Sequence, residues 1–157
     1  HLSLRRQRQM CIRDRSCRAV FEAEWEKVIT PLDTCGDIIL DGDHFALIKE
    51  AATREGPDSP AGICIANHDA WFRAITNGAP IKKMDPSKQS SILYDLVAIY
   101  LGFAETWLEM EELEIKITPD GKTLEEHGGD TVRCAMNWKN RPAFLDMVTR
   151  RLTEPAA

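Results

Sequence analysis

Between Met84 and Ile115 the chain reads MDPSKQSSILYDLVAIYLGFAETWLEMEELEI, and no other stretch restricts the fold as tightly. Leu93, Leu96, Tyr100, Phe103, Trp107 and Met110 recur at steps of three and four, the spacing that gathers side chains on one helical face. Ile92, Val97, Ile99, Leu101, Ala104 and Leu108 widen that face beyond a two-strand seam. Asp85 before Pro86 forms an N-cap and N1 pair, because proline at N1 gives up only an N–H that has no helical partner. The pattern predicts a helix of about 25 residues whose apolar surface needs partners on more than one side. Leu93, Leu96, Tyr100, Phe103 and Trp107 are therefore candidates for core or oligomer contacts.

Shorter elements flank this segment. Val20, Phe21, Trp25, Val28, Ile29 and Leu32 fall at helical spacing, with Pro31 and Gly36 marking where the pattern stops. A second helix is expected after Asp41 or Asp43 as N-cap, with Gly56 as terminator. A third runs through ICIANHDAWFRAITNG, although GICIA alone could form a short strand. Ile115 and Ile117 alternate with Lys116 and Thr118 before a Pro-Asp-Gly turn, which predicts a β-hairpin pairing 113–118 with 121–126. Asp130 is placed to cap a last helical segment, which Pro142 kinks or breaks near Asn140. Its second piece sets Phe144, Leu145, Val148 and Leu152 on one side, with Arg150 and Arg151 favourable at the C-terminal end. The expected fold is mainly α: a single compact helical domain over 16–157, with one long central helix and a small β-hairpin before the C-terminal helical segment.

The opening run HLSLRRQRQMCIRDR resembles a translated transposase-type sequencing adapter and is expected not to be native. Without its five arginines and one aspartate, 20 basic and 25 acidic side chains become 15 and 24, and the net charge falls from −5 to −9. Such a charge repels phosphate at long range, so nucleic-acid binding would need a local basic patch or several subunits sharing one. Cys17, Cys35, Cys64 and Cys134 are far apart and form no C-x-x-C pair, which argues against zinc and for free thiols in a reducing cytoplasm. No run of about 18 apolar residues suggests a membrane span. A soluble cytoplasmic protein, in the host cell if phage-encoded, is expected.

No catalytic or metal constellation emerges, and no cofactor is expected. Asp41, Asp43 and His44 are adjacent, yet neighbours in one turn seldom converge on an ion without partners elsewhere. His68 and Asp69 look like an acid/base pair, but adjacent helix residues point about 100° apart. Glu109, Glu111, Glu112 and Glu114 read as a solvated face or a contact for a basic partner. The candidates for holding a phosphate backbone are Lys82, Lys83 and Lys88 before the long helix, and Arg133, Lys139 and Arg141 toward the C-terminus.

The stretch AVFEAEWEKVITPL is similar to the opening of phage small terminase subunits, and ILYDLVAIYLGFAETWLEMEELEIKITPDGK resembles that family's long helix with the extended segment and glycine turn behind it. The chain departs from the family at HGGDTV, where Asn-Pro-Ala often stands, and residues 56–83 have no counterpart. The resemblance implies a non-enzymatic, mostly helical protein that assembles into a ring, binds double-stranded viral DNA and assists the motor of a large terminase subunit. Leu96, Tyr100, Phe103 and Trp107 would then build core and subunit contacts, while Lys82, Lys83, Arg133, Lys139 and Arg141 would face phosphate. The alternative is a helical protein–protein interaction or regulatory module of a phage or bacterium that does not bind DNA.

Overall fold

In the computed structural model, which describes residues 16–76, 84–119 and 122–154, the 84–115 segment is not one helix. Asp85 accepts from the Ser87 N–H at 3.0 Å, but the turn it starts does not propagate. The backbone is instead spent on neighbours: the Ser90 N–H donates to the Leu40 carbonyl and the Leu93 N–H to the Ile38 carbonyl, each at 2.8 Å. The Ser90 hydroxyl returns an acceptor to the Leu40 N–H at 3.0 Å. A residue so paired cannot also enter a helical ladder. Helix therefore begins only at Tyr94 and ends at Leu101, and the chain from Leu108 to Ile117 is a strand.

The elements in chain order are α1 (16–21), β1 (Val28–Ile29), α2 (Leu32–Cys35), α3 (Gly42–Glu55), α4 (Pro60–Thr76), α5 (Tyr94–Leu101), β2 (Leu108–Ile117), β3 (Thr123–Glu125), β4 (Asp130–Trp138) and α6 (Arg141–Thr153). Helices occupy 48% and strands 21% of the described residues, with a four-stranded mixed sheet, which overturns the mainly α expectation with its single small hairpin. The first helix stops at Phe21, and Val28 and Ile29 join the sheet. The segment after Asp130 is a strand up to Trp138, so Pro142 marks a strand-to-helix boundary rather than a kink between helices. The expected hairpin is present, with Ile115 opposite Glu125 and Ile117 opposite Thr123.

Two compact units divide the chain. One takes the residues up to Pro31 and Glu109–Asn137, and holds the sheet, in the order β1-β4-β2-β3. β1 runs parallel to β4, with Val28 opposite Arg133 and Ile29 opposite Cys134, while β2 and β3 are antiparallel. Ile115, Ile117, Val132 and Cys134 are its buried cluster, and Cys17, Phe21, Ile29 and Leu113 pack against them. The close approach of Gly129 to β2 needs a residue without a side chain, since a Cβ there would lie 2.7 Å from the Ile115 carbonyl.

The other unit takes Leu32–Leu108 and the residues from Trp138 onward. α3 packs against α4 and α6, and α2 against α5. Ile38, Leu40, Phe45, Ile48, Val97, Tyr100 and Phe144 are among its buried side chains. α3 and α4 lie where the apolar spacing places them, with GICIA inside α4. Asn140 caps α6 by accepting from the Ala143 N–H at 3.1 Å, and Pro142 sits in the first turn, where its missing N–H costs nothing.

Candidate functional site

Most of the candidate phosphate-binding cations that the structure describes are engaged by carboxylates. Lys88 lies 3.5 Å from Asp85, Arg133 lies 3.1 Å from Glu26, and Arg141 lies 3.4 Å from Asp37. Arg141 also donates to the Asp37 carbonyl. The Ser87 hydroxyl, its backbone N–H and then Lys88 hold the Asp85 carboxyl below its ordinary range, so the partner of Lys88 stays ionised at neutral pH. Lys139 is exposed, and Lys82 and Lys83 lie outside the described residues. Lys88, Lys139 and Arg141 belong to the helical unit and Arg133 to the sheet unit.

The seam residues separate into two groups. Tyr100 is 3% exposed and sits at the centre of an aromatic cluster in the helical unit. Its ring stacks on Trp107 with centroids 5.5 Å apart, and meets Phe144 and Phe103 edge-on at 5.3 and 5.5 Å. The Trp107 carbonyl accepts the Lys139 N–H at 2.8 Å, while Trp138 packs on Phe144 and donates its indole N–H to the Thr34 carbonyl at 2.9 Å. Tyr100, Trp107 and Trp138 are thus parts of the core. Leu93 and Leu96 are half-buried, and Phe103 stands out at 59% exposed.

Phe103 borders a groove of about 200 Å³ between α5 and α6, whose other walls include Leu96, Ile99, Met147, Val148 and Leu152. Ile99 is 61% exposed. Arg151 spans the rim with its guanidinium carbon 5.5 Å from the centre of the Phe103 ring, an arrangement that holds both side chains by cation–π attraction. The face therefore presents protruding apolar side chains and an apolar hollow together. Ile99, Met147 and Arg151 were absent from the candidate contacts. Ile99 lies one residue before Tyr100, and the α6 residues belong to an element whose pairing with α5 no sequence spacing announces.

The acidic and histidine motifs resolve into structural roles. His44 pairs through Nδ1 with the Thr149 hydroxyl at 2.9 Å and lies 3.7 Å from Asp146 through Nε2, which draws it toward α6 rather than toward Asp41 and Asp43. Asp41 occupies the N-cap position of α3 without a side-chain cap bond. Glu109, Glu111, Glu112 and Glu114 lie on β2, not on a helix. No cluster of three or more His, Cys, Asp or Glu that could hold a metal occurs among the described residues. His68, expected half-exposed on its helix, is buried, 7% exposed, in the wall of a second cavity, with its Nε2 3.0 Å from the Pro86 carbonyl.

No protein-family model, curated protein or solved structure matches the chain. Among the described residues no helix is long and apolar enough to cross a membrane.

Proposed function

We propose that this is a non-enzymatic protein that self-associates through the α5–α6 face. The observation that carries the reading is the pairing of two exposed apolar side chains, Ile99 and Phe103, with a hollow of matching character on the same surface. A face with both knob and hole is self-complementary: a two-fold axis lets each copy insert its Phe103 into the other's groove. Removing a large apolar side chain from water contributes about 1.5–3 kcal/mol, enough for a few such residues to anchor a contact. The carboxylate partners of Lys88, Arg133 and Arg141 favour a protein contact over a phosphate backbone as the primary role.

Absolute mass by light scattering behind a sizing column tests this on the full chain. A dimer or larger assembly that dissociates with Phe103→Glu and Ile99→Glu is the expected result, and a monomer at micromolar concentration overturns it. Trp107→Glu is a poor probe, because that ring is stacked on Tyr100 and its loss would cost stability as well as any contact. A ring-sized mass with retention on double-stranded DNA at low salt would carry the reading on to the packaging role that the small-terminase resemblance implies, with a large terminase subunit as partner. A dimer without DNA retention leaves an interaction or regulatory module.

A further inference from the structure

The outward side of α5 carries an ordered row of side chains. Asp95, Ala98, Ile99, Gly102 and Phe103 follow one another at helical spacing along one face, and all five are exposed. Asp95 stands in the first turn and Phe103 just beyond the last, about 12 Å apart at the helical rise. A Cβ added at Gly102 would meet only the Ile99 carbonyl oxygen of its own turn, at 3.1 Å, so no other described element covers this side.

Charge sits at the two ends of the row. Asp95 marks one end, and at the other the guanidinium carbon of Arg151 lies 5.5 Å from the centre of the Phe103 ring. Neither Asp95 nor Arg151 pairs with an opposite charge among the described residues. A row with an acid at one end, a cation at the other and small or apolar side chains between them is complementary to itself when turned end for end. A two-fold axis through Ile99 runs the α5 helices of two copies antiparallel, and positions equally far from the axis then face each other. Asp95, four residues before Ile99, faces Phe103, four residues after it, where Arg151 lies. Ala98 and Gly102 flank the axis and let the two helices approach closely.

We infer that the second copy docks in this one orientation, as a closed antiparallel pair kept in register by two Asp95–Arg151 contacts across the axis, an assignment that rests on the self-association proposed above. Each chain carries a net charge of −5, so two copies repel at long range, and two opposite-charge contacts at the seam offset that repulsion. The parallel arrangement sets Asp95 against Asp95 and Arg151 against Arg151 and is rejected by the same charges. An interface that maps one patch onto itself is complete with two copies and does not extend into a ring.

Charge reversal on the full chain separates the orientation from the face. Asp95→Arg alone sets arginines together at both ends of the seam, and Arg151→Asp alone sets aspartates together. Each should weaken self-association about tenfold or more in analytical ultracentrifugation. Mixed in equal amounts, the two variants regain both opposite-charge contacts in a heterodimer, which native mass spectrometry should find well above the statistical half of all dimers. Two milder variants read the orientation without reversing a charge. Ala98→Cys, one residue from the axis, should be joined to its own counterpart by a short bismaleimide, as located by peptide mapping. Asp95→Cys, about 12 Å from its counterpart along the seam, should not. Homodimers indifferent to reversal, a mixture that stays monomeric or pairs statistically, or equal cross-linking at the two positions would each overturn the antiparallel pair. If Phe103→Glu still dissociates the unmodified dimer in those cases, the α5–α6 face survives and only the orientation falls, whereas a monomeric unmodified chain overturns both.

Discussion

In the sheet unit the buried cluster is four side chains, Ile115, Ile117, Val132 and Cys134, with α1 adding Phe21 and Cys17 at its margin. β3 is exposed along its whole length, and Glu109, Glu111 and Glu112 of β2 face solvent. In the helical unit three helices contribute Phe45, Ile48, Val97, Tyr100 and Phe144, and rings contact rings around Tyr100. The first arrangement has little redundancy, since its buried cluster is only four side chains. The second spreads its burial over more side chains, which leaves apolar surface to spare for the groove and the His68 cavity. A short, fully exposed and partly charged edge such as β3 also discourages other chains from extending the sheet, so association is more economical through helices.

Three perturbations test this contrast. Phe144→Ala removes a ring with no exposed surface that touches both Tyr100 and Trp138, and should lower stability by about 3–5 kcal/mol in urea denaturation. Ile115→Ala should cost about 2–5 kcal/mol and act locally: amide exchange in β2 and β4 is expected to rise well before that in α3 and α6. If every amide accelerates alike, the two units unfold as one and the contrast fails. The smallest effect is a pH slope. Burial, with Glu111 and Glu125 adding to it, raises the thiol of Cys134, and burial raises that of Cys64. Both thiols therefore stay protonated in the folded chain where they would ionise in the unfolded one. Stability from this source is complete below the ordinary value of 9.0 and is lost as pH rises through the folded-state values. The urea midpoint should fall between pH 8 and pH 10 in the unmodified chain and fall less in Cys134→Ala; equal slopes would remove Cys134 as a cause.

α3, α4 and the second half of the last segment were legible because each carries a helical period beside a clear boundary signal: Asp41 and Gly56 at the two ends of α3, and Pro142, read as a break near Asn140, at the start of α6. β4 was also written in the chain, with Val132 and Cys134 inward and Thr131 outward, but an Asp beside two glycines reads equally as a cap. The 84–115 segment misled for a different reason. Steps of three and four among many apolar residues fit a helix, yet the acidic alternation of β2 lies within the same run, and the inward positions shift from even to odd between Met110 and Leu113. What decided it is non-local: the Ser90 and Leu93 N–H groups bond to carbonyls at Leu40 and Ile38, and β2 lies beside β4. The burial of His68 was hidden likewise, since the Pro86 carbonyl beside its Nε2 comes from the turn before α5, 18 positions away.

The parallel pairing of β1 with β4 bears on how the chain behaves while it is being synthesised. Glu26, next to β1, finds its partner Arg133 at a separation of 107 positions. α3 and α4, by contrast, are consecutive and can pack as soon as both have emerged. At roughly 5–20 residues per second, β1 waits on the order of 5–20 seconds on the ribosome for the strand that completes it. During that interval Val28 and Ile29 lack the neighbour against which they pair, and α6, which packs on α3 in the helical unit, emerges later still.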